Sequence, residues 1–188
     1  FFLEALRIAE TDPSFETWSP VGWLVGQGHT AIGVDGATAS AAPDEWAVIT
    51  GKEPVSCVLS TTDVSEGVGN MVTIVTDAAN EGLQKTFTEI KASTRYLVSV
   101  RAKITTGEAQ MVITGASASS DFRNITVVTT SATFTTLKAI VQSDGTPTAI
   151  VVKLQSGTAN PSTVVFDHFS FQECSKEVSA PSTRSFSK

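Results

Sequence analysis

Residues 96–104, Tyr-Leu-Val-Ser-Val-Arg-Ala-Lys-Ile, set the strongest limit on what this chain can fold into. Tyr96, Val98, Val100, Ala102 and Ile104 fall on one side of an extended chain, and Ser99, Arg101 and Lys103 fall on the other. A period of two marks a strand with one face in a core and the other in water. Comparable runs occur at 46–50, 55–60, 70–76, 83–87, 110–114, 124–128, 133–142, 148–154 and 163–171. Thr and Val recur in them, and these β-branched residues suit a pleated, half-buried surface. The breaks carry turn chemistry: Gly67 and Gly69, the run Ser143-Asp144-Gly145-Thr146-Pro147, and Gly157 followed by Asn160-Pro161. No helical period runs through the middle of the chain, and no internal repeat of fixed length is present. About ten short strands separated by turns predict an all-β chain folded as one antiparallel β-sandwich.

Both ends depart from this pattern. Residues 1–11 form a strongly apolar arm, with Phe1, Phe2, Leu3, Leu6 and Ile8 as its expected assembly contacts. Phe2, Leu6 and Ala9 fit a helical stripe, but so short a helix is marginal in water and needs a cover. Residues 174–188 are rich in Ser, contain Pro181 and offer little apolar content beyond Val178 and Phe186, a composition that cannot build its own core. The expected organisation is therefore a domain at 12–173, with an arm at 1–11 and a tail at 174–188 that reach to neighbouring subunits. The first ten residues lack the basic start, long apolar centre and cleavage site of a secretory signal.

Charge and cysteine usage exclude several classes of function. Thirteen Lys and Arg stand against 19 Asp and Glu, a net charge of −6, and the cations are scattered, so no nucleic-acid partner is expected. No stretch approaches the roughly 20 apolar residues of a membrane-spanning helix, so membrane insertion is not expected either. Cys57 and Cys174 lie far apart and form no C-x-x-C pair; one long-range disulfide and two separate thiols both remain open. His29 sits in a glycine-rich loop, and no motif ties a Ser or Cys nucleophile to it or to His168. Nothing in the spacing of Asp44, Glu45, Asp63, Glu66 and Asp77 selects a glycosidase pair. The expectation is a protein without catalytic residues.

Asp12-Pro13-Ser14-Phe15-Glu16, followed by Trp18 and Gly22-Trp23, resembles the opening of galactose-binding-like β-jelly rolls, including many carbohydrate-binding modules. Those modules commonly begin Asn-Pro-Ser-Phe-Glu, and here Asp12 replaces the Asn. Further landmarks follow in order at Gly82-Leu83-Gln84-Lys85, at 94–103, at Phe134-Thr135-Thr136-Leu137 and at 165–171, so the resemblance spans most of the chain from 12 to 173. Pro43-Asp44-Glu45-Trp46 is similar to the Ala-Asp-Arg-Trp element of jelly-roll modules in phage tail, fibre and capsid-surface proteins, with a charge reversal at Glu45. The resemblance implies a jelly roll with extended termini and a non-catalytic binding or structural role. It also implies a structural calcium on Glu16 and Asp167, two hard oxygen ligands that would staple the first strand to the last. The residues alone read equally as surface carboxylates or caps, and His168 stands where the family often has a second acid. No other cofactor is expected.

Glycan recognition usually rests on an exposed aromatic platform. Only 7% of this chain is aromatic, and Trp18, Trp23, Trp46 and Tyr96 are each expected to serve the core, with Trp46 the candidate platform if one exists. The scarcity favours a structural and interaction module of a phage virion, a capsid decoration or tail-fibre component docking on other virion proteins or on copies of itself. The alternative is a secreted carbohydrate-binding module that reads a polysaccharide or a host-surface glycan.

Overall fold

The computed structural model describes residues 18–20, 33–34, 41–43, 46–60, 71–115, 125–143, 145–147, 149–159 and 161–174, with side chains from Trp46 onward except at 59 and 60. The arm residues Phe1, Phe2, Leu3, Leu6 and Ile8 lie outside the described residues, as do Glu16, Trp23, His29, the side chain of Trp18 and the tail at 175–188.

The described strands are β1 (Trp18–Pro20), β2 (Gly33–Val34), β3 (Ala41–Pro43), β4 (Ala47–Val48), β5 (Ser56–Ser60), β6 (Met71–Thr76) and β7 (Gly82–Phe87). They continue with β8 (Arg95–Thr106), β9 (Ala109–Gly115), β10 (Ile125–Thr129), β11 (Thr135–Gln142), β12 (Ile150–Ser156) and β13 (Ser162–Glu173). One sheet has five strands in the order β10-β9-β12-β7-β4, and the other has six in the order β11-β8-β13-β6-β5-β2. A two-stranded piece joins β1 to β3. Pairing is antiparallel throughout the described strands except where β2 meets β5. The fold is an all-β sandwich, as the alternation predicts.

Every run read from the sequence contains a strand. The one at 46–50 is cut short because the chain turns after Ile49: Ile49 N still donates to Gly82 O of β7 at 3.1 Å, but Lys52 N then closes back on Ile49 O at 2.9 Å.

The core lies between the two larger sheets, and alternation decides which side chains enter it. From β8 come Tyr96, Val98, Val100 and Ala102; from β9, Met111 and Ile113; from β12, Ile150, Val152 and Leu154. Aromatic rings bridge the sheets. Phe87 of β7 stacks on Phe171 of β13 with centroids 4.0 Å apart, Phe171 stacks on Tyr96, and Trp46 meets Phe169 edge-on at 5.1 Å. Such contacts add specific geometry to a large buried apolar area.

Strand β13 departs from strict alternation. Phe166 and Phe169 both face the core although three positions separate them, because a bulge interrupts the pairing with β8 between Asp167 and Ser170. His168 adopts a φ of 54°, and the Asp167 carboxylate caps the bulge by accepting the His168 N–H at 2.8 Å. The bulge restores the phase that brings Phe169 and Phe171 inward.

Candidate binding face

Residues of the five-stranded sheet that alternate with the core set point outward, and register arranges them in rows. One row runs Ala47, Gln84, Lys153, Val112, Thr126, and the next runs Gly82, Gln155, Gln110, Val128. A third holds Thr86, Val151 and Thr114. The face is therefore rich in amides and hydroxyls, with three valines among them.

At one end the amides are tied into a line. Gln155 Nε2 donates to Asn80 Oδ1 at 3.1 Å and to Gln110 Oε1 at 3.3 Å, and Gln110 Nε2 donates to Glu108 Oε1 at 2.6 Å. The 77–81 turn covers this end. Its own geometry is set by Glu81, whose carboxylate accepts the N–H groups of Asp77 and Ala78, and by Asn80 at a φ of 64°, a conformation Asn tolerates well. The turn is pinned to β12 through Asn80 N to Gly157 O and Ser156 N to Glu81 O. Gly157 carries no side chain where the Glu108 carboxylate lies, and a Cβ there would collide with that carboxylate. Gln155 and Gln110 are consequently only 5% and 8% exposed although they face away from the core.

This arrangement has a chemical consequence. A primary amide both donates and accepts, as the hydroxyls of a sugar do, and side chains already held by neighbours lose little freedom when a ligand arrives. Among the described residues the Gln155 carbonyl oxygen accepts no side-chain hydrogen bond and the Asn80 amide nitrogen donates none. Two carboxylates border this end, Glu108 held by Gln110 Nε2 and Glu81 held by the N–H groups of Asp77 and Ala78.

The residues singled out in the sequence lie elsewhere. Trp46 is 4% exposed and packs its ring against Phe169, so the candidate glycan platform is corrected: the turn at 49–52 and the aromatic cluster draw Trp46 into the core, and it presents no face to a sugar. Tyr96 is likewise interior, its hydroxyl accepting the Lys91 N–H at 2.8 Å, and burial is the main cause that raises its pKa. Among the described residues Phe134 is the aromatic outside the core, and Lys103 and Arg101 sit over its ring at 4.7 and 5.8 Å.

Asp167 lies on the outward side of the six-stranded sheet yet is 2% exposed. Its expected calcium partner Glu16 is outside the described residues, and among those described no three His, Cys, Asp or Glu side chains cluster as metal ligands. Cys57 and Cys174 are separate thiols, and burial pushes that of Cys57 up. Lys91 and Glu173 form an ion pair at 2.6 Å, where Glu173 ends β13 in the six-stranded sheet.

Asn80, Glu108, Gln110 and Gln155 were not singled out by sequence reasoning. The available signal was the parity of Gln110 with Val112 and Thr114, which marks an outward residue but does not reveal its neighbours.

No protein-family model matches the sequence, and no curated protein matches it. Several solved structures do resemble the fold. A cyclase from Fischerella sp. TAU is similar with a TM-score of 0.59 at 12% identity, over 90% of this chain and 98% of that one. The CBM22-1 xylan-binding domain from Paenibacillus barcinonensis has a TM-score of 0.53 at 12% identity, over 87% of this chain and 92% of that one. The enzymatically active domain of tailspike protein 4 from bacteriophage CBA120 has a TM-score of 0.56 at 8% identity over 70% of this chain, which spans 20% of the tailspike chain. The likeness is one of fold: this chain is an all-β sandwich similar in architecture to carbohydrate-binding modules, to the cyclase and to the tailspike domain.

Proposed function

We propose that this chain is a carbohydrate-binding module that holds a polysaccharide against the outer face of its five-stranded sheet, without cleaving it. The observation that carries the reading is a polar outer face on which Gln84, Thr86 and Thr126 are accessible and which is braced at one end by the hydrogen-bonded line Asn80, Gln155, Gln110, Glu108. The xylan-binding domain of similar fold makes xylan the first polymer to test. Lacking an aromatic platform among the described residues, the face would recognise hydroxyl patterns, so affinity should be modest and sensitive to single amides.

The test is affinity electrophoresis through gels containing soluble xylan or galactan. The wild-type chain should be retarded by one of them. Gln84→Ala, at a half-exposed position on the same face, should weaken retardation about threefold to tenfold, the loss of a hydrogen bond or two. Gln155→Ala should abolish retardation while circular dichroism shows a folded sandwich. Retardation unchanged in both variants would reject the face.

A second reading rests on the apolar arm and on Pro43-Asp44-Glu45-Trp46: a structural module of a virion that docks on neighbouring subunits through its termini. Replacing Phe2 and Leu6 with Asp would then abolish particle association without unfolding the domain. Particle association by that variant at the wild-type level would reject this reading.

A further inference from the structure

The outer face that bears the amide row has a cation near its middle. Lys153 lies on β12, the central strand of the five-stranded sheet, with Gln84 opposite it on β7 and Val112 opposite it on β9. It shares its face with Gln155, two residues and about 7 Å further along the strand. Ala47 and Thr126 complete its row, and Thr86, Val151 and Thr114 form the row beyond. None of these is acidic. The Glu108 carboxylate at the border of the face is engaged by Gln110 Nε2 and lies against the Gly157 backbone. No described carboxylate forms an ion pair with Lys153, in a chain whose net charge is −6.

A half-buried lysine on a central strand, its row and the next supplying amides, hydroxyls and small apolar groups, is complementary to an anion arriving with the ligand. We propose that Lys153 selects an acidic polysaccharide by pairing with a uronate carboxylate, while the amide row engages neutral hydroxyls of the same chain. This inference rests on the face being a glycan site, and it adds the chemical class of the ligand. The net charge of −6 opposes a polyanion as a whole, so the preference is for a polymer with sparse uronate branches, one of which meets the local positive point at Lys153.

The experiment uses calorimetric titration with three probes: a xylo-oligosaccharide carrying one glucuronosyl branch, the same molecule with its carboxyl reduced to the alcohol, and the unbranched oligosaccharide. The acid should bind about fivefold more tightly than its reduced form at low salt, and the difference should shrink as salt rises. Lys153→Met should remove that preference and leave affinity for the reduced and unbranched probes within twofold, whereas Lys153→Arg should retain it. Equal binding of the acid and its reduced form by the wild-type chain would overturn the role of Lys153 and leave the glycan site standing. A preference that survives in Lys153→Met would overturn it as well. Binding of none of the three probes would overturn the inference, and if neither the xylan nor the galactan gel retards the chain the reading beneath it falls as well.

Discussion

Cys57 is fully buried on β5, opposite Ile74 of β6, and burial raises its thiol pKa from the ordinary 9.0. The sign of the resulting pH dependence follows directly. Above about pH 9 the unfolded chain releases this proton and the folded chain keeps it, so the unfolded state binds fewer protons and stability falls as pH rises, by about 1.4 kcal/mol per pH unit. The contribution is complete below that pH. Tyr96 adds a loss of the same sign above its ordinary 10.0. Urea titrations between pH 7 and 10 should therefore show a midpoint that falls in the wild type above pH 9 and falls much less in Cys57→Ala; identical slopes would show that the thiol is not the source. Gly82 offers a second test at this scale, because a Cβ there would strike the Leu154 carbonyl oxygen and the Gln155 backbone. Gly82→Ala should cost about 1–3 kcal/mol in denaturant unfolding. Single residues were partly legible in the sequence. Parity with Val98, Val100 and Ala102 placed Tyr96 in the core correctly, but nothing local distinguished a Trp46 platform from a Trp46 that packs on Phe169.

At the scale of the element, the strands were legible because period two survives in any strand with one buried face. Their ends were less so, since turns such as 49–52 depend on hydrogen bonds to a strand far along the chain, here Gly82 of β7. The bulge in β13 was hidden for a related reason. Phe166, Phe169 and Phe171 do not share one parity, and only the pairing with β8 shows where the extra residue is absorbed. Phe171 then lies between Phe87 and Tyr96, with ring centroids at 4.0 and 5.2 Å. Phe171→Ala should lower the unfolding free energy by about 3–5 kcal/mol, as for other buried phenylalanines. Val128→Thr, at an exposed edge-strand position, should change it by less than about 0.5 kcal/mol. Equal effects at the two sites would contradict the placement of the core.

At the scale of the whole molecule, the candidate binding face was the least legible feature. Gln110 and Gln155 are 45 positions apart, and Asn80 is 75 from Gln155, so only the pairing of β9, β12 and β7 and the fold of the 77–81 turn bring them together. An outward glutamine on an alternating strand looks like any solvated polar residue until the register is known. The same topology leaves Lys153 central and Asp167 on the opposite sheet, so the candidate carboxylate and the candidate glycan face belong to different sides of the sandwich. The central claim is that the five-stranded sheet presents a sugar-reading surface. Its most direct measurement is a nuclear magnetic resonance titration of the isotopically labelled chain with xylohexaose, following the side-chain amide signals. The account predicts saturable shifts of Gln84, Gln110, Gln155 and Asn80 with the signals of Gln142 and Gln172 unmoved; no shifts, or shifts confined to Gln142 and Gln172 on the six-stranded sheet, would contradict it.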